Sequence, residues 1–382
     1  MGNEISKDKL NNLNELHSVL CLNPGSSSLK WALFQSTKQT NALKTGSVSL
    51  KEIAVELLAI IEKFEIFMVI IRFVHGGTGF YEPVEITSDV YDELCSLLSI
   101  APLHTNASLL CSELILKNTT GINQVAVFDT ELFKDMPETA QLYGLPEILR
   151  NKYGIRRFGF HGFAHAGMLD AFHELSESNP DQRRRIVTIQ LGSGCSMAAF
   201  LNGKPVECSM GFTPNDGLLM STRSGDVDAG LVTWLQRQEG WTPEETDSYL
   251  NKESGWAGMS GESADFSVVL RSHKEASKKA VRLFVHRVRK TLGSFYAVLG
   301  GLDAVLLSGG IAENTTHFCH ALLCDLEHLG IKLTPEENLT KEKKLTERLM
   351  SLSSQRSRVE VCVIQNNEFD MMLKTTDQWI NK

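Results

Sequence analysis

Two hairpins about half a chain apart constrain this fold more than any other feature. The first runs from the apolar Val19-Leu20-Cys21-Leu22 through Asn23-Pro24-Gly25-Ser26-Ser27-Ser28-Leu29-Lys30 into Trp31-Ala32-Leu33-Phe34. Residues 187–200 repeat the strand, Gly/Ser turn, strand form around Leu191-Gly192-Ser193-Gly194-Cys195-Ser196. Such a repeat suggests a duplicated domain, each half offering one phosphate-facing turn to a cleft between them. Gly/Ser hairpins are also common surface features, so coincidence is the competing reading.

Between and beyond the hairpins, short β-rich runs alternate with amphipathic segments, the pattern of an α/β protein. Strands are expected at 19–22, 31–34, 67–74, 124–128, 186–191, 197–201, 304–308 and 359–364. From 274 to 299 Ala280, Val281, Phe284, Val285, Val288, Leu292, Phe295, Tyr296 and Leu299 recur at three- and four-residue steps, marking a core-facing helix. Residues 336–358 are charged and weakly periodic, which suggests a surface helix or loop. The expected domains are 1–131 and 132–368, with a last helix at 369–382 returning to pack on the first.

The 382 residues, 42% hydrophobic and 22% charged, suffice for two cores. A formal net charge of −8 without a long basic run argues against a nucleic-acid surface, so any phosphate site must gather its positive charge locally. The eight cysteines include no C-x-x-C pair, and several sit in apolar runs, pointing to a reducing, cytoplasmic interior. Residues 1–14 are polar and of mixed charge, unlike a signal or transit peptide, and no apolar run is long enough for a bilayer.

Candidate chemistry lies at turns and strand ends. Ser26, Ser28 and Lys30 bring hydroxyls and an ammonium to a turn fixed by Pro24 and Gly25, suited to a polyanion such as a phosphate chain. An ordinary Ser-rich surface hairpin has the same composition. Arg72 ends an apolar run beside Gly76-Gly77 and is placed to grip a carboxylate or phosphoryl group; a plain salt bridge would explain it as well. Arg223, in Thr222-Arg223-Ser224-Gly225-Asp226-Val227-Asp228, stands among small polar residues where packing gives no motive for a guanidinium. His161, between Phe160 and Gly162, is exposed by its glycine and can donate to a phosphoryl oxygen in either protonation state. Asp129 and Glu368 follow strands, the usual place for carboxylates that orient hydrated Mg²⁺, though carboxylates also end strands for solubility. The run Ala304-Val305-Leu306-Leu307-Ser308-Gly309-Gly310 lets the flat face of a base or ribose lie on backbone.

Together these segments resemble the acetate kinase family, part of the sugar kinase, Hsp70 and actin superfamily. The likeness spans nearly the whole chain, through Asn23 to Lys30, Arg72 to Gly77, Ala101-Pro102-Leu103-His104, Phe128-Asp129-Thr130, Met136-Pro137, Tyr153-Gly154-Ile155-Arg156-Arg157, Phe158 to Gly162, Met210 to Pro214, Thr222 to Asp228, Gly309 to Asn314 and Asn367-Glu368. It implies two α/β domains of duplicated ribonuclease H-like topology with an interdomain cleft, a homodimer through the second domain, and reversible phosphoryl transfer from ATP to acetate or another short-chain carboxylate. It further implies that Arg72, Arg223, His161 and Asp129 serve catalysis. Asn23 and Glu368 would hold Mg²⁺ or Mn²⁺, and Val74, Leu103, Phe160 and Pro214 would form an apolar acyl pocket. ATP would lie along Ser26, Ser28, Lys30, Gln190, Leu191, Gly192, Ser193, Gly194, Asp265, Phe266, Ser267, Gly309, Gly310, Ile311, Ala312 and Asn314.

Some positions depart from the family pattern. Gln190 and Ser193 stand where a histidine and an asparagine are usual, Ser267 where an arginine is, Phe133 and Thr105 where a histidine and an asparagine are, and Ala312 where a glycine is. The phosphoryl-transfer set is whole while the nucleotide contacts are altered, so the expectation is an active carboxylate kinase with raised nucleotide KM or changed nucleotide preference. The competing expectations are a propionate or butyrate kinase and a catalytically weakened nucleotide-binding homologue.

Overall fold

The computed structural model describes residues 18–25, 28–39, 41–100, 102–175, 184–335 and 348–382, without the side chains of 99 and 102–104. Ser26 and the side chain of Leu103 therefore lie outside the described residues. The chain divides into two compact units, Met1–Lys134 with Asn367–Lys382, and Asp135–Asn366. Glu368 thus belongs with the first unit, because it opens the returning helix Glu368–Ile380.

The strands are β1 (Ser18–Pro24), β2 (Ser28–Phe34), β3 (Lys44–Ser49), β4 (Ile66–Phe73), β5 (Val84–Glu85), β6 (Asn123–Phe128), β7 (Arg185–Leu191), β8 (Cys195–Leu201), β9 (Lys204–Cys208), β10 (Ala304–Ser308), β11 (Leu349–Ser351) and β12 (Glu360–Ile364). They form two six-stranded sheets, ordered β3-β2-β1-β4-β6-β5 and β11-β12-β10-β7-β8-β9. Read from its three-stranded antiparallel edge, the second sheet repeats the first strand for strand. In both, the first strand pairs antiparallel with the second and parallel with the fourth, and the sixth pairs parallel with the fourth and antiparallel with the fifth. The likeness of the two hairpins read from sequence is thus a likeness of two whole sheets.

Every residue of β4, β6 and β10 is buried, as their near-continuous apolar runs require of parallel strands covered on both faces. The helices Pro102–Asn118 and Glu368–Ile380 pack on the first sheet, the latter burying Met372, Leu373, Thr376 and Ile380. In the second unit the helix Glu275–Leu299 packs along β7, β8 and β9 through Ala280, Phe284, Val288, Leu292 and Phe295. It stops at Gly300, whose φ of 67° is the left-handed conformation that glycine adopts without penalty.

Four strands are not evident in the sequence pattern. β3 buries only Val48 and β9 only Pro205 and Cys208, so as edge strands they carry little alternation. β5 is two residues long. The described end of the segment expected as surface helix or loop forms β11, whose Leu349 and Met350 pair with Ile364 and Val363. Of the described residues, no helix is long and apolar enough to cross a membrane.

Candidate active site

The first unit gathers polar groups where three parallel strands end. Asn23 lies near the end of β1, Arg72 near the end of β4, and Asp129 directly follows β6, the edge at which open α/β sheets bind ligands. The Arg72 Nε donates to both Asp129 oxygens at 3.1 Å, and its Nη2 donates to Oδ2. Its Nη1 donates to Asn23 Oδ1 at 2.6 Å and stands 3.5 Å from Glu368 Oε2, which accepts from Asn23 Nδ2 at 2.6 Å. Ser108 Oγ donates to the Arg72 carbonyl at 2.7 Å and pins the strand end. Burial alone would lower the Arg72 pKa, but the Asp129 and Glu368 charges outweigh it and raise the value.

Lys30 is exposed on β2 directly opposite Asn23 in the ladder, and Ser28 closes the turn by accepting from Gly25 N at 2.9 Å. Val74 is buried just past β4. This face of the first unit therefore presents a lysine, an amide, a guanidinium and two carboxylates. Their oxygens suit a hard cation such as Mg²⁺, which takes one or two protein oxygens and fills its shell with water and substrate phosphate. Among the described residues no group of three or more His, Cys, Asp or Glu side chains gathers to hold a metal alone.

In the second unit Arg223 and His161 meet at the β7–β8 turn. A Cβ at Gly194 would lie 3.1 Å from His161 Cε1, 3.2 Å from Nε2 and 3.8 Å from Arg223 Nη1. Glycine there leaves open the space that both donors face. Arg223 Nη1 donates to the Pro214 carbonyl at 3.0 Å and lies 3.8 Å from the Met220 sulfur, and burial lowers its pKa, partly offset by Cys195. Its loop is fixed by Gly217 N donating to Asp226 at 2.7 Å, and by the Arg157 to Asp216 pair at 3.0 Å. His161 has a φ of 57°, a left-handed backbone that non-glycine residues hold only under constraint. Phe160 precedes it, buried like Pro214.

A cavity of about 580 Å³ also lies in the second unit, lined by Gly192, Ser193, Asp265, Phe266, Ser267, Gly310, Ile311 and Asn314, all expected from sequence, and by Trp256, Ala264 and Thr315, which were not. Its aromatic side is built by packing: Phe266 lies edge-on to Trp256 at 5.0 Å and to Phe284 at 5.4 Å, and Trp256 Nε1 donates to the Ala264 carbonyl. Trp256 comes from a short helix without a motif; only its size in a polar neighbourhood could have flagged it. The turn at Gly309 has a φ of 94°, and a Cβ there would lie 2.5 Å from the Leu191 carbonyl and 2.8 Å from Gln190 Nε2. Glu313 locks that turn by accepting from Gly309 N at 2.9 Å and Ser308 Oγ at 3.1 Å. Leu191 and Ala312 are fully buried.

At Ser267, noted above as a departure from the family pattern, a guanidinium from one turn further along the helix Phe266–Arg271 reaches back to the serine. Arg271 Nε donates to the Ser267 carbonyl and Nη2 to Ser267 Oγ, both at 3.0 Å. The i, i+4 spacing was legible in the sequence and was missed.

Comparison with known proteins places the chain in a family. The Acetokinase family profile matches residues 36–374. An acetate kinase of Dictyoglomus turgidum is 41% identical over 313 residues, covering 80% of this chain and 75% of that protein. The crystal structure of Porphyromonas gingivalis acetate kinase superposes with a TM-score of 0.81 at 32% identity, covering 96% of this chain and 100% of that one. A propionate kinase from Francisella tularensis superposes equally, TM-score 0.81 at 29% identity, covering 94% and 99%.

Proposed function

The chain belongs to the acetokinase family, and from that premise we propose that it transfers the γ-phosphoryl group of ATP reversibly to acetate, giving acetyl phosphate and ADP. What carries the reading is the set of donors, the carboxylate-held Arg72 in the first unit and, in the second, Arg223 and His161 facing the space at Gly194, together with that unit's cavity of about 580 Å³. Acetate is already ionised near neutral pH, so no general base is needed; the obstacle is repulsion between two anions. An acetate oxygen forms the new bond to phosphorus as the bond to the bridging oxygen breaks and ADP leaves with the charge. Arg72 and Arg223 neutralise the carboxylate and the equatorial phosphoryl oxygens, and His161 donates to those oxygens. Asp129 holds the Arg72 fork in plane.

Asn23 and Glu368 would hold Mg²⁺, with Asp129 nearby; bound there, the ion would offset the charge of the β- and γ-phosphates. The adenosine would occupy the cavity against Phe266 and Trp256, with Gly309 and Gly310 under the ribose. Val74, Leu103, Phe160 and Pro214 would form the acyl pocket, and propionate is a second acceptor, supported by the propionate kinase among the similar structures and by the small penalty of ~1 to 3 kcal/mol for one methylene. Gln190, Ser193 and Ser267 weaken or redirect nucleotide binding without abolishing it.

A homodimer is part of this reading, supported by helices Glu147–Tyr153 and Ala229–Glu239, which bury no residue and display Ile148 and Trp234. So is a cytoplasmic location, supported by eight cysteines that are all unpaired. Trapping acyl phosphate as its hydroxamate, with ATP and Mg²⁺ and with acetate, propionate or butyrate, tests the activity. A folded protein that yields no hydroxamate at high ATP refutes it.

A further inference from the structure

Behind His161 runs a chain of buried hydrogen bonds that the phosphotransfer reading does not itself call for. His161 Nδ1 is 2.9 Å from Ser196 Oγ, Ser196 Oγ is 2.8 Å from His165 Nε2, and His165 Nδ1 is 2.7 Å from Thr188 Oγ1. His165 and Thr188 are wholly buried and Ser196 nearly so. The topology makes the encounter: Thr188 and Ser196 lie on the paired strands β7 and β8, while His165 N closes the first helical turn onto the His161 carbonyl at 3.0 Å.

Each hydroxyl has one proton to give, and a neutral imidazole has one donor and one acceptor nitrogen. Burial keeps His165 neutral by pushing its pKa down to about 3. With His161 neutral as well, and with the two imidazoles the only side-chain partners of Ser196 Oγ among the described residues, so that its proton must go to one of them, the chain has two directions. In one, Thr188 donates to His165 Nδ1, His165 Nε2–H donates to Ser196, and Ser196 donates to His161 Nδ1, which leaves the His161 proton on Nε2. The reverse direction puts that proton on Nδ1 and leaves Thr188, among the described residues, only the Ala198 carbonyl, at 3.4 Å. A hydroxyl bond of that length is beyond the usual 2.5 to 3.0 Å, roughly, so the first direction wins.

We propose that Thr188, His165 and Ser196 are positioning residues that fix His161 as its Nε2–H tautomer, keeping a protonated nitrogen aimed into the space at Gly194 that Arg223 also faces. The effect of this on rate rests on the phosphoryl-transfer reading; the tautomer does not. The same logic orients ligating histidines, where loss of the second partner typically costs roughly 10- to 100-fold.

The experiment is ¹⁵N NMR of histidine-labelled protein at alkaline pH, with His161 assigned by difference from His161→Gln. The expected spectrum shows a protonated Nε2 and an unprotonated, hydrogen-bonded Nδ1 in the wild type, and a mixture of tautomers in Ser196→Ala. That variant should lose roughly 10- to 100-fold in kcat with the ATP KM within about two-fold, and Ser196→Thr should recover most of it. A wild-type spectrum with Nδ1 protonated overturns the proposal without recourse to any variant, as does an unchanged His161 signature in folded Ser196→Ala. If the tautomer responds as expected but kcat does not, the relay stands and it is the phosphotransfer role of His161 that fails.

Discussion

At the carboxyl ends of β1, β4 and β6 the first unit places Asn23, Arg72 and Asp129; at the matching ends of β7, β10 and β12 the second places Gln190, Ser308 and Gln365. The registers make Asn23 with Arg72 and Gln190 with Ser308 equivalent pairs, since Asn23 lies one step beyond the Leu22 to Ile71 pair and Gln190 lies opposite Ser308, while Asp129 and Gln365 each directly follow the last of the three strands. One frame has thus been given ionic tips in one copy and neutral tips in the other. The ionic tips hold a buried guanidinium by carboxylates, and the neutral tips leave backbone and small side chains to border a cavity. In the proposed reaction the charge that develops during phosphoryl transfer would meet the first kind of surface and the nucleoside the second.

The two arginines give the sharpest way to break this contrast. Arg72→Ala and Arg223→Ala should each lower kcat by roughly 10³ to 10⁵, the range for transition-state arginines in phosphoryl transfer. Their effects on stability should part. Arg72→Ala leaves Asp129 buried without its guanidinium and should cost about 3 to 5 kcal/mol. Arg223→Ala removes a cation that its surroundings already disfavour, as its lowered pKa shows, and should change stability by about 1 kcal/mol or less. Urea midpoints measured on both variants decide it, and equal losses would erase the distinction between an arginine bound to a buried carboxylate and one bound to the Pro214 carbonyl.

Next in size is a pair of opposed pH slopes, one from each unit. Glu131 follows the ionic tip of the first unit, and burial raises its pKa to about 7, with Glu82 adding to the rise and Lys134 and Lys382 opposing it. A carboxyl with a raised folded-state pKa stabilises fully below its unfolded value of 4.5, and that contribution is lost as pH climbs through 7. His165 in the second unit behaves oppositely: its value is lowered from 6.5 to about 3, so its contribution is present above 6.5 and is lost as pH falls toward 3. Each slope is at most about 1.4 kcal/mol per pH unit. Glu131→Gln should therefore gain on the wild type as pH rises from 4.5 to 7, while the deficit of His165→Gln should shrink as pH falls from 6.5. Thermal unfolding across that range checks both, and parallel profiles for wild type and variants would show that neither group titrates as its burial implies.

How much of this could be read from the chain depended on whether a signal was local. The apolar runs of β1, β4, β6 and β10 and the two hairpins announce the sheets because strands buried on both faces must be apolar throughout. Arg72 and Asp129 stood out by ending such runs, and the structure joins them directly. β3 and β9 were illegible because an edge strand with one or two buried residues has no pattern to show. Trp256 reaches the cavity through Phe266 and Phe284, and His165 reaches Ser196 across 31 positions; both are products of tertiary packing that spacing cannot reveal.

The smallest expected effect concerns Arg271, and it asks whether the nucleoside side of the second unit acts on binding alone. Its side chain is exposed and its guanidinium makes two 3.0 Å hydrogen bonds to Ser267, which lines the cavity. Such an exposed contact is worth about 0.5 to 1 kcal/mol, so Arg271→Ala should raise the ATP KM about two- to five-fold. Because the contact is made before and during transfer alike, kcat should not move. Adding Ser267→Arg to Arg271→Ala should bring the KM back, since a guanidinium would again stand at the same turn of the helix. Steady-state kinetics at saturating acetate separate the outcomes. A fall in kcat with Arg271→Ala would mean that the second unit's nucleoside side takes part in the transition state, and the division between charged tips that drive transfer and neutral tips that hold the nucleotide would have to be abandoned.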